Sequence, residues 1–340
     1  MADQMVAAVF EGEGRLSLKE VDIPQVRAPD DVLLAVRAVG ICGTDVHILS
    51  VPPGHPASPG VILGHEYTAE VLRTGERVNH VAPADRVVVD PSVWCGSCAY
   101  CQRGLTNLCD RMEGIGIFRD GGLAAFSVVP ARATYKINSK VAPEIAALAE
   151  PLADVISGVR KLQPIPGESA LVLGAGPIGL LYTLLLRAAG TQPLIVAEIS
   201  EYRAAHARAC GADVVINPRR EDLAAAVRRE TGLGADMVAD AVGSLLEESV
   251  RSVRKGGRIV LFGMNEHARP VLKQFDITKY EYQILGSYIA RGTFPQAVSL
   301  LESGSIDFGR LITHRLLLRE VHQGIDLLRR GQALKIAVMP

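Results

Sequence analysis

The chain has 340 residues, more than one ordinary core holds and comfortable for two domains. Hydrophobic residues make up 48% and charged residues 21%, which is a globular composition and excludes a disordered chain. Lys plus Arg (36) against Asp plus Glu (37) gives a net charge of −1, so there is no electrostatic footprint for nucleic acid and no acidic or basic tail.

The first ten residues have no basic n-region and only a short apolar run, so no signal peptide is expected and the expected compartment is the cytoplasm. To about residue 150 the chain reads as all-β. Runs such as DVLLAVRAV (31–39) and DRVVVDP (85–91) are divided by Gly and Pro clusters. From about 153 strands and helices alternate. SALVLG (169–174) is a buried strand followed by an apolar helix to about Gly190. PLIVAEI (193–199) is a strand, and EYRAAHARACG (201–211) a helix stopped by Gly211. VVIN (214–217), MVADAV (237–242), RIVLFG (258–263) and YQILGSY (282–288) continue the series, which predicts a parallel doubly wound sheet. Beyond about 289 come two helical stretches and a last strand, KIAVM (335–339). The uncharged run 170–186 falls short of the roughly 20 apolar residues of a membrane span, and its glycines and proline suit strand, turn and helix instead.

Four of the six cysteines, Cys95, Cys98, Cys101 and Cys109, lie in one short stretch. Without a secretory signal such a cluster points to metal rather than disulfides. Four thiolates can close a tetrahedron around zinc and leave no open position, so this ion would be structural. The rival is an iron–sulfur cluster, whose bacterial run puts the fourth Cys after three residues and Pro next; here seven residues intervene and Asp110 follows.

Gly174, Gly176, Pro177, Ile178 and Gly179 fall in a G-x-G-x-x-G turn between a predicted strand and a predicted helix, the context that makes the pattern a dinucleotide site. The helix N-terminus offers N–H groups to the pyrophosphate. Glu198, about 20 residues on, is placed to accept from the ribose hydroxyls and to select NAD; Arg203 lies close enough to leave NADP as the alternative. Gly243 and Gly263, after two later strands, complete the expected cofactor-binding set.

A third group is Cys42-Gly-Thr44-Asp45-Val-His47, Gly64-His65-Glu66 and Glu150-Pro151. Each residue alone has an ordinary role. Together they offer three ligands for a catalytic zinc with one open position: Cys42, His65 and one of Glu66 or Glu150.

CGTDVH (42–47), GHE (64–66), the cysteine lobe, EP (150–151), GAGPIG (174–179) and THR (313–315) together resemble the zinc-dependent medium-chain dehydrogenases, in the sorbitol and threonine dehydrogenase branch. The resemblance implies an α/β protein: a GroES-like β-rich catalytic domain, 1–152 with 289–340, and a Rossmann domain, 153–288. It implies two zinc ions per chain, Thr44 and His47 as a proton relay, Asp45 orienting His65, and Glu150 at or near the catalytic metal. The implied reaction oxidises a secondary alcohol of a polyol, sugar, amino sugar or cyclitol with NAD or NADP. Oxidation of a 3-hydroxy amino acid is the alternative, and an inactive zinc-binding scaffold is the alternative of another class. Ile48, and Ile289 near which an Arg would contact a polyol, depart from the sorbitol enzymes; VHI (46–48), GHEY (64–67) and EYR (201–203) lean towards the threonine enzymes. Ser287, Tyr288 and Arg291 are nearby polar candidates. The expected partners are a small alcohol or ketone and further copies of the chain, as dimer or tetramer, with neither nucleic acid nor membrane.

Overall fold

The structure is a computed structural model that describes residues 4–340, and the chain divides into two compact units. The first comprises residues up to Ala153 together with Arg291–Pro340. Its centre is a seven-stranded mixed sheet in the order Ile312–Leu317, Lys335–Met339, Asp31–Ile41, Glu66–Thr74, Arg86–Val89 and Thr134–Lys136, with Phe126–Pro130 also paired to Asp31–Ile41. A separate antiparallel hairpin joins Gln4–Gly12 to Arg15–Asp22. Alternation builds the core: Val32, Leu34, Val36, Tyr67, Ala69, Val87, Val89 and Ile336 are all buried in one cluster.

This unit is β-rich but not all-β. Short helices cover Gly43–Ile48, Ala99–Gln102 and Pro143–Ala146, and the longer helix Ala149–Leu162 begins in it. The expectation of an all-β segment fails because Gly43–Ile48, Ala99–Gln102 and Pro143–Ala146 are too short to show a 3.6-residue apolar period, whereas Ala149–Leu162 begins only where that segment was expected to end. The strand Ile312–Leu317, around the THR motif, lies beyond the elements expected after residue 289. It pairs parallel with the last strand, and its polar, partly exposed residues carry no strong alternation.

The second unit, Asp154–Ala290, holds a six-stranded parallel sheet. Its order is Val214–Ile216, Leu194–Ala197, Ala170–Leu173, Ala235–Asp240, Val253–Leu261 and Gln283–Gly286. In chain order this is 3-2-1-4-5-6, the doubly wound arrangement of a dinucleotide-binding fold, with its switch point beside Ala170–Leu173. The helix Pro177–Ala188 packs on the sheet through Leu180, Leu181, Tyr182 and Leu186, all buried. Among the described residues no helix is long and apolar enough to cross a membrane.

Candidate functional site

Sheet register assembles the first group of residues. Gly40 on the central strand is paired on one side with Glu66 and on the other with Ala337. Directly opposed residues share a face, and so do residues two apart on one strand. Glu66, Gly40, Ala337 and Lys335 therefore project from one side of the sheet. Gly40 has no side chain, and the Glu66 carboxylate crosses the gap to Lys335, whose Nζ donates to Oε1 at 2.7 Å and to Oε2 at 2.6 Å. Both side chains are almost wholly buried.

The central strand ends at Ile41, and Cys42 then starts the helix Gly43–Ile48. The Cys42 N–H donates to Oδ2 of Asp45 at 2.8 Å, which fixes the start of that helix. Oδ1 of Asp45 and Nδ1 of His65 are both buried without a hydrogen bond and lie 3.6 Å apart. Cys42, His65 and Glu66 converge: one ligand atom from each lies within 4.8 Å of the others. Thr44 brings its hydroxyl to 3.6 Å from the Cys42 sulfur. His47 is exposed and backed by Gly54, whose N–H donates to the His47 carbonyl. Glu150 stands in the first turn of the helix Ala149–Leu162, outside the converging three. Ile48 is fully buried in the core. Ser287 is buried and Tyr288 is exposed.

The electrostatics suit a cation. Desolvation pushes the Cys42 thiol well above its ordinary value, and the Glu66, Asp45 and Glu150 carboxylates push it further. Desolvation lowers His65, but Asp45, Glu150 and Glu66 outweigh it and leave the imidazole raised. Burial also raises Asp45. Desolvation alone would lower Lys335, yet the facing carboxylates and thiol hold it above its ordinary value. A thiol and carboxylates whose negative charge burial resists, gathered with an imidazole, form a donor set that a divalent cation would stabilise.

The second group is the cysteine lobe. Cys95, Cys98, Cys101 and Cys109 also bring their sulfurs within 4.8 Å of one another, and all six cysteines are free thiols. Backbone N–H groups point at the sulfurs: Cys95 donates to Cys109 at 3.3 Å, Cys98 to Cys95 at 3.4 Å and Arg111 to Cys109 at 3.3 Å. Such donation, first from Ser97, holds the Cys95 thiol down to about 5, and the Cys101 N–H lowers Cys98. Desolvation pushes Cys101 up to about 12. The Arg111 guanidinium adds a positive charge 3.5 Å from the Cys95 sulfur. Thiols so gathered and so polarised fit a tetrahedral thiolate metal.

The third group lies in the second unit. Gly174 has φ +88, which closes the turn after Ala170–Leu173. A Cβ on Gly179 would stand 1.9 Å from the Gly174 carbonyl oxygen, so only glycine lets the helix approach the turn. A Cβ on Gly176, by contrast, would meet nothing within 4 Å. Pro177 occupies the first helical turn and Ile178 follows it. Glu198 is buried, and its carboxylate accepts from the N–H groups of Ala175 (2.7 Å), Ile199 (2.9 Å) and Ser200 (2.8 Å). It thus ties the glycine turn to the end of the next strand. Ser200 caps the helix Glu201–Ala209 by accepting from the Arg203 N–H. Gly243 and Gly263 pack backbone to backbone: a Cβ on Gly263 would lie 2.3 Å from the Gly243 nitrogen. The buried Asp240 carboxylate organises the adjoining loop by accepting from Val242, Gly243 and Leu245.

Two residues of the site escape a reading of the sequence. Lys335 gave one signal, a charge opening the otherwise apolar strand KIAVM. Gly40 gave none, because a glycine near a strand end looks like a turn residue until the register is known.

The family profiles agree with this geometry. "Alcohol dehydrogenase GroES-like domain" matches residues 28–139 and "Zinc-binding dehydrogenase" matches 177–303. D-altritol 5-dehydrogenase of Agrobacterium fabrum is 37% identical over 93% of this chain and 94% of its own. L-threonine 3-dehydrogenase of Pyrococcus horikoshii is 34% identical over 100% and 99%. Among solved structures, a Sinorhizobium meliloti 1021 protein bound to NADP superposes with a TM-score of 0.93 at 33% identity, covering 100% of both chains. The chain belongs to the zinc-dependent medium-chain dehydrogenases.

Proposed function

We propose that this protein oxidises a secondary alcohol of a polyol or sugar to the ketone, reversibly, with a nicotinamide dinucleotide as acceptor. The observation that carries the reading is the convergence of Cys42, His65 and Glu66 in a chain that also bears the dinucleotide turn at Gly174–Gly179. When bound, zinc supplies Lewis-acid polarisation of the substrate oxygen and the nicotinamide accepts hydride.

The chain's own residues do the rest. Cys42 and His65 hold the catalytic metal, with Glu66 as third ligand and Glu150 beside it. Asp45, whose carboxylate lies 3.6 Å from Nδ1 of His65, would orient the ring toward the metal. The Thr44 hydroxyl, beside the Cys42 sulfur, receives the substrate proton. His47 lies three residues further along the same helix, hence on the same face, and its exposure lets it hand that proton to solvent. The cysteine lobe holds a second, structural zinc. Glu198 orients the glycine turn and disfavours a 2′-phosphate by like charge, so NAD is the preferred cofactor, with Arg203 the residue through which NADP would be tolerated.

Cysteines held as metal thiolates and not as disulfides suit the cytoplasm. A homo-oligomer, dimer or tetramer, is part of the same proposal. The L-threonine 3-dehydrogenase relative favours a second reading, oxidation of a 3-hydroxy amino acid. A panel of alditols, aldonates, cyclitols and 3-hydroxy amino acids, followed by reduced-nicotinamide absorbance with NAD and with NADP, separates the two. Turnover of polyols supports the first reading, and turnover of L-threonine alone replaces it with the second.

A further inference from the structure

Lysine is rarely buried this deeply, and burying an ion pair is a poor way to stabilise a sheet: apolar side chains of similar size usually do as well. Here three strands are arranged to make the pair. The sheet register sets Lys335 and Glu66 on one face across the central strand, and Gly40 leaves the space between them open. A Cβ on Gly40 would stand 2.3 Å from Oε2 of Glu66. Both carboxylate oxygens are taken by the one ammonium. The same carboxylate lies with Cys42 and His65 in the converging donor set. Glu66 therefore faces two cation positions, one filled by Lys335 and one suited to a metal.

We propose that Lys335 is a positioning residue that competes with the catalytic zinc for Glu66. This rests on the reading that Cys42, His65 and Glu66 hold that zinc. Two cations sharing one carboxylate weaken each other, by direct repulsion and by dividing its charge. The ammonium keeps Glu66 a detachable ligand and withholds part of its charge from the metal, so that the metal stays able to polarise a substrate oxygen. It also neutralises the buried carboxylate when zinc is away, and so steadies the empty site. A purely structural pair would instead pin the last strand to its neighbours and leave the metal unaffected.

The two roles differ in sign. Remove the ammonium and a structural role lets zinc go faster or leaves it unchanged, whereas competition makes zinc leave more slowly. The test is zinc transfer from the full-length, zinc-loaded protein to a chromogenic chelator, with the cysteine lobe as internal control. In Lys335→Met the site phase is expected to slow about 10–100-fold, the range of metal-affinity changes from altered outer-shell partners. The lobe phase is unchanged, kcat falls, and Lys335→Arg restores the wild-type release rate. Lys335→Gln keeps a donor for Glu66 without the charge and should also slow release; it serves if the Met variant does not fold. An unchanged or faster site phase in the folded variant overturns the proposal while leaving the zinc site itself in place. A single release phase from fully active wild type, that of the lobe, overturns both the proposal and the zinc reading beneath it.

Discussion

The carboxylate of Glu66 stands where a side chain at Gly40 would be: a Cβ there would come within 2.3 Å of Oε2. Gly40→Ala must therefore push Glu66 away from Lys335 and from the Cys42–His65 pair. The expected outcome is a loss of about 10–100-fold in kcat/KM, from a displaced metal-site carboxylate. A stability loss of about 1–3 kcal/mol accompanies it, from overpacking a filled site. Steady-state kinetics and denaturant unfolding of the same variant check both, and wild-type kinetics would show that Glu66 has no part in the chemistry.

Glu150 is expected to act beside the metal rather than to hold it. Its charge reaches the site, since it raises both Cys42 and His65, but it is not one of the three converging ligands. Glu150→Ala should keep most of the site zinc and lose about 10–100-fold in turnover. Zinc content and kcat on one preparation decide: loss of the zinc would make Glu150 a direct ligand, and an unchanged kcat would remove it from the chemistry.

Glu198 makes three backbone hydrogen bonds, and the proposed function also gives it cofactor choice. Glu198→Ala should narrow the preference for NAD over NADP, chiefly by weakening NAD. It should also cost stability, at about 1 kcal/mol for each net hydrogen bond lost. Values of kcat/KM with both cofactors, alongside thermal unfolding, test the pair of effects. A wild-type enzyme that already prefers NADP would contradict the role given to the carboxylate.

Asp90 gives a pH dependence. Burial raises its carboxyl from 3.8 to about 6, against the lowering effect of the Ser92 hydrogen bonds. The fold thus disfavours its charged form. No penalty exists below about pH 4, where the group is protonated folded or unfolded, and the full penalty is present above about pH 6. That penalty is at most about 3 kcal/mol. Asp90→Asn keeps an acceptor for the Ser92 N–H, which lies 2.9 Å away. It should be more stable than wild type at pH 8 and no more stable at pH 4, by unfolding measured at both. Equal stability at pH 8 would show that the carboxylate is compensated.

Much of this was legible in the sequence because it depends on local spacing. The cysteine lobe and the glycine turn each sit within one short segment, so residue type and offset suffice. The parallel sheet was legible because buried strands such as Ala170–Leu173 and Leu194–Ala197 read as unbroken apolar runs. Lys335 and Gly40 were not legible for the opposite reason. Their meaning depends on the pairing of three strands far apart in the chain, and nothing local fixes that register. The small helix Gly43–Ile48 was hidden too: it buries only Asp45 and Ile48, too few residues for a period.

The central claim is that a zinc held by Cys42, His65 and Glu66 is needed for oxidation of a secondary alcohol. It is tested most directly by the rate of NAD reduction with a reactive polyol, in protein holding two zinc ions per chain, in protein from which the faster-released ion has been stripped, and after its return. The expected result is full activity with two, almost none with the lobe ion alone, and recovery on adding zinc back. Undiminished turnover by protein holding only the lobe ion would contradict the account.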